Sequence, residues 1–168
     1  MLMNARLTEM VQIVSGFVPV NLATAVNDGD WVSLADFARC AIVFFAGAGS
    51  GGEDPVITVT QAKDSAGTSP KALNFTRVDA KAATALTTPG TFTAVTQAAA
   101  NTYTETGGGA LQKMLVIDIK ADDLDANNGY SALRASVGDV GSGAQLGGLF
   151  YILYGARYSN AGVVSSAL

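Results

Sequence analysis

Short runs of β-branched and aromatic residues, broken by clusters of Gly, Pro, Asn and Asp, recur along the whole chain, and no stretch holds a 3.6-residue apolar period over the length of a stable helix. Residues 11–20 are rich in β-branched residues with one aromatic and form a first strand, with Pro19 confining its end to an edge or a strand exit. Residues 27–30 are a turn cluster, and Trp31 to Leu34 begin a short strand with Val32 and Leu34 on one face and Trp31 in the core. Residues 40–45 are apolar without alternation, as expected of a central strand covered on both sides. Residues 56–61 alternate, with Ile57 and Val59 inward. Leu73, Phe75 and Arg77 alternate with Asn74 and Thr76, residues 91–95 form another half-buried strand, and residues 79–86 between them favour a helical turn. Residues 102–104, 114–119 (Leu115, Ile117 and Ile119 on one face), 131–137 and 149–154 complete about eight strands. The fold class expected is all-β, an antiparallel β-sandwich or jelly roll. No period of 20–50 residues marks a solenoid or propeller.

Residues 1–10 are expected to be an N-terminal arm with one or two helical turns, residues 11–158 the sandwich, and residues 159–168 a C-terminal tail. The length of 168 residues suits one domain. Its 28 alanines and 19 glycines make the core thin and closely packed. Charged residues are 14 %, against the usual quarter or so, and the mean hydropathy is +0.30, so part of the surface is expected to be covered by another chain.

Several function classes are disfavoured. Histidine is absent and Cys40 is the single cysteine, which removes the usual general base, the commonest metal ligand and any intrachain disulfide. The net charge is −4 with no Lys/Arg cluster, so direct nucleic-acid binding is not expected. The longest apolar run, residues 40–49, is half the roughly 20 residues of a membrane-spanning helix. Glu9, Gln12, Ser15 and Pro19 interrupt the apolar stretch a secretory signal needs, so the chain is expected to stay where it is translated, in a reducing compartment.

Motifs that resemble chemical sites fail in context. Residues 47–52 match G-x-G-x-x-G, but Glu53, Asp54 and Pro55 lead into a strand, where the dinucleotide fingerprint needs a helix. Asp123 and Asp125 begin like a calcium loop, yet Asn128 replaces the required glycine and Arg134 the bidentate glutamate; Asp122, Asp123 and Asp125 are left as a weak cation cluster or a solvated turn in which Asp122 or Asp123 caps a helical turn through Leu124. Glu105 and Asp118 are one arbitrary carboxylate pair among many. No catalytic residue, metal ligand or cofactor is expected.

Residues 27–34, 42–45, 71–76, 95–104 and 133–141, taken together, resemble a family of small virion structural proteins of tailed bacteriophages. The resemblance implies a virion component with no catalytic residues to carry over. Combined with the low charge and the small-residue core, it gives as leading expectation a capsid decoration (cement) protein: a homotrimer on the outer capsid surface, assembled in the bacterial host cytoplasm, clamping neighbouring major capsid protein subunits. The contacts expected are Leu2, Leu7 and Met10 in the arm and Val163, Val164 and Leu168 in the tail. The alternatives are a tail tube or head–tail neck component, and a carbohydrate-binding module using Trp31, Tyr103, Tyr130, Tyr151, Tyr154 or Tyr158.

Overall fold

A computed structural model describes residues 6–50, 54–87, 90–106, 110–141 and 143–157. One helical turn, α1 (Leu7–Met10), leads into β1 (Val11–Asn21); β2 (Asn27–Asp28), β3 (Val32–Ser33), β4 (Phe37–Ala46), β5 (Val56–Ala62), β6 (Lys71–Ala72), β7 (Phe75–Ala83), β8 (Thr93–Ala100), β9 (Thr102–Thr104), β10 (Gln112–Lys120), β11 (Ala132–Val137) and β12 (Leu146–Ala156) follow. Eight of these strands have six or more residues, and the other four are short bridges. They form two antiparallel sheets. Sheet A runs β1-β12-β4-β10-β7-β8; sheet B runs β2-β11-β5-β6, with β3 also on β11 and β9 also on β5. The all-β two-sheet architecture is as expected, and the strand order does not single out the jelly-roll connectivity.

The period of two decides which side chains meet between the sheets. Cys40, Ile42 and Phe44 of β4, Leu115, Ile117 and Ile119 of β10, and Leu149, Tyr151 and Leu153 of β12 point inward from sheet A. Ile57 and Val59 of β5 with Ala135 and Val137 of β11 meet them from sheet B. Glycine allows two close approaches: a Cβ at Gly16 would overlap the Leu149 side chain, and one at Gly29 the Tyr151 hydroxyl.

Three expectations need correction. The helical turn over residues 79–86 is strand instead: β7 continues to Ala83, paired with β10 from Asp79↔Val116 to Ala83↔Gln112. Ladder bonds to a central strand outweigh the helix propensity of a segment too short to be helical alone. The alternation through Leu73, Phe75 and Arg77 breaks at an irregularity opposite β8, so that Val78 is buried and Arg77 exposed. Strand β4 keeps the expected central place in sheet A, and both its faces are buried at the middle, Ile42 and Phe44 inward and Val43 outward, while the outward Ala41 and Phe45 on either side are partly exposed. Trp31 is half-buried at the surface, its ring stacked on Arg134 with the guanidinium carbon 4.9 Å from the centroid.

Candidate interaction face

The outer face of sheet A is the strongest feature of the described surface. Because partners in an antiparallel ladder share a face, the register writes this surface as rows crossing the sheet. One row reads Ser15, Phe150, Val43, Val116, Asp79; the next reads Ile13, Ile152, Ala41, Asp118. On one side lies Gly148, Phe45, Met114, Lys81, and on the other Val11, Tyr154, Arg39, Lys120. The centre of four strands is therefore apolar on the side where an antiparallel sheet ordinarily meets water. Ile13 is 50 % exposed, Phe45, Met114, Val116, Phe150 and Ile152 are partly exposed, and Val43 is buried among them. Phe45 and Phe150 pack ring to ring at 6.1 Å. A Cβ at Gly148 would lie 3.1 Å from the Phe45 Cζ, so the glycine makes the seat on which that ring rests.

Charge is confined to the border, where Arg39 and Asp118, and Arg77 and Asp79, are ion-paired and Lys81 lies over the Phe92 ring at 5.1 Å. The Arg39 guanidinium meets the Asp118 carboxylate at 2.9 Å, and Tyr154 donates its hydroxyl to the same carboxylate at 2.6 Å. Arg39 Nε also donates to the Tyr154 oxygen at 2.8 Å. Its hydrogen bonds to Asp118 and Tyr154 push the Arg39 pKa above its already high ordinary value. Arg77 and Asp79 form a second pair at 2.7 Å. An apolar centre with a charged, partly ion-paired border is the arrangement general to protein-docking patches.

Of the arm and tail contacts expected, Leu7 is 57 % exposed and Met10 partly buried, with α1 packed on β1 and β12 at the rim of this face. Leu2, Val163, Val164 and Leu168 lie outside the described residues. The sequence singled out Asp118 and Tyr154 of this face for other roles and none of its apolar residues, although the unalternating runs over residues 40–45 and 149–154 carried the signal: a strand apolar on both faces in a two-layer fold leaves one of them outside.

The other candidates are dispersed. Asp118 lies on sheet A's outer face, whereas Glu105 is buried after β9 of sheet B and accepts the Tyr103 hydroxyl at 2.9 Å, so the two carboxylates do not form a site. Asp125 pairs with Lys71 and accepts from Asn128; Asp123 accepts the Lys120 backbone N–H at 2.9 Å, capping the turn Ala121–Asp123. Asp122 approaches Arg157 at 3.9 Å. Among the described residues no group of three such side chains is arranged to hold a metal. Burial raises the Cys40 thiol pKa far above its ordinary value, which keeps the sulfur protonated and inert.

The tyrosines are also engaged internally. Tyr151 is wholly buried, Tyr130 lies under the Lys71 ammonium at 4.0 Å, and Tyr158 lies outside the described residues. Burial is the first cause raising the phenol pKa of Tyr151 and Tyr154, and it raises Tyr103 to about 12, with hydrogen bonds to Glu105 and Asp118 adding to Tyr103 and Tyr154. An acid whose pKa is raised on folding gives stability that is fully present below its unfolded value, near 10 for tyrosine, and lost as the pH rises through the folded values. Urea midpoints are accordingly expected to fall between pH about 10 and about 12. A midpoint that holds level across that window would contradict the shifts. No family of known proteins, no curated protein and no solved structure matches the chain.

Proposed function

We propose that the protein is a non-enzymatic structural component of a tailed-bacteriophage particle, a decoration protein that lays the outer face of sheet A against the outside of the capsid and clamps neighbouring major capsid protein subunits. The observation that carries this is the apolar outer face of sheet A, on which Ile13 is half exposed and Phe45, Met114, Val116, Phe150 and Ile152 are partly exposed around a buried Val43. A partner that binds only the assembled lattice stabilises it by mass action, in proportion to occupancy, and needs no chemistry to do so. The charges at the border fit this role: they keep the face soluble before docking and set its orientation.

The test is to mix purified protein with empty shells of the parent phage, sediment them, and follow shell melting. Co-sedimentation at a fixed stoichiometry with a raised shell melting temperature supports the proposal. A protein that ignores shells and closes into rings of its own would point to the neck or tail, and light scattering reads that outcome directly as a mass well above three times 17.1 kDa.

A further inference from the structure

A second feature, independent of the docking face, lies where β1 and β12 meet the segment between β2 and β4. A cleft of about 300 Å³, open to solvent, is lined there by Trp31, Phe37, Val14 and Leu153 together with the polar Gln12, Ser33 and Asp36. Its volume is at the small end of the range of about 300–1,000 Å³ typical of ligand clefts. The walls are of two kinds: aromatic and aliphatic side chains, and an amide, a hydroxyl and a carboxylate.

Charge narrows the class of ligand. Asp36 is the acidic group of the lining and disfavours an anion. A cation would ordinarily suit an indole beside a carboxylate, but the Arg134 guanidinium already lies over the Trp31 ring at 4.9 Å and adds like-charge repulsion at that wall. A neutral ligand remains, with an apolar surface to lie on the indole and several hydroxyls to bond the rim. The indole is held in place for this: Arg134 stacks on it, and a Cβ at Gly67 would meet its Cε2 at 2.9 Å, so the turn backbone abuts the ring edge. A wall fixed before binding costs little ordering. We propose that this cleft binds one pyranose unit of a neutral saccharide, with Trp31 as the wall for the C–H face of the sugar and Gln12, Ser33 and Asp36 as partners for its hydroxyls.

Trp31 is the single tryptophan of the chain, so its fluorescence reports on this cleft and no other. Titration of the full-length protein with methyl β-D-glucoside, methyl β-D-galactoside and N-acetylglucosamine is expected to give a saturable emission change with at least one of them, at a Kd on the order of 1 mM. Asp36→Asn combined with Gln12→Ala keeps the reporter and is expected to weaken that binding at least tenfold while the emission of the free protein is unchanged. Three results would overturn the proposal: no saturable change with any of the three sugars, equal affinity in the double variant, or saturation by choline in place of the sugars. The docking proposal stands or falls separately, because shell binding uses the other side of sheet A.

Discussion

Replacing Tyr151 with phenylalanine is expected to lower the free energy of unfolding by about 1–3 kcal/mol, the cost of leaving a buried backbone N–H without a partner. Tyr151 belongs to sheet A, but its hydroxyl accepts the backbone N–H of Ala135 in sheet B at 3.0 Å. The reason lies in the edge of β11: β3 pairs with residues 132–133 and β2 with residues 136–137, so Ala135 falls in the gap between two bridges. Its carbonyl is taken by the Gly29 N–H at 2.9 Å and its N–H by the tyrosine, which together replace a missing strand. Tyr151→Ala removes the ring as well and is expected to cost a further cavity term, about 3–5 kcal/mol for a large buried side chain. Gly29→Ala drives a methyl group into the same junction and is expected to combine with Tyr151→Phe less than additively, because both break one contact. Urea midpoints of the three variants and the double variant check this. A Tyr151→Phe protein with an unchanged midpoint would show that the N–H finds another acceptor.

The largest effect on binding is expected at the outer face of sheet A. Ile13→Asp with Met114→Glu places two carboxylates in the apolar centre, and each would be desolvated on docking with no partner provided for it. Loss of shell affinity by 100-fold or more is expected, about 2.8 kcal/mol at 1.4 kcal/mol per tenfold. The fold itself should be nearly indifferent. Ile13 is half exposed on an edge strand, and position 114 lies opposite Lys81, where glutamate gains an opposite charge. Co-sedimentation together with the thermal midpoint separates the two effects. Shell binding within threefold of the unmodified protein, with an intact fold, would remove sheet A's outer face from the proposed function.

Much of the fold can be read from the chain because local pattern and tertiary pairing agree over most of it. Alternation places Ile57, Val59, Leu115, Ile117 and Ile119 inward, and all five are buried. Pattern fails where pairing overrides it, as in residues 79–83, and where a strand irregularity changes the phase, as between Phe75 and Val78. It fails for a different reason at the candidate site. Periodicity reports how many faces of a strand are apolar, but a face covered by the chain itself and one left for another molecule have the same composition. For Met114 and Phe150 only the arrangement of the sheets tells the two apart. Trp31 is a milder case, since its neighbours Arg134 and Gly67 are remote in sequence and no local rule brings them to it.

The pairing of β1 with β12 also bears on when the molecule can become complete. Their ladder joins residues near the start of the chain to others more than a hundred positions later, and β12 lies between β1 and β4 in the sheet. During synthesis on a ribosome β1 therefore has no place to go until residues 146–156 have emerged, and β4 keeps a bare side for as long. The apolar rows of sheet A form only at that last closing step, so a half-made chain has no finished face with which to occupy a binding site ahead of its folded copies.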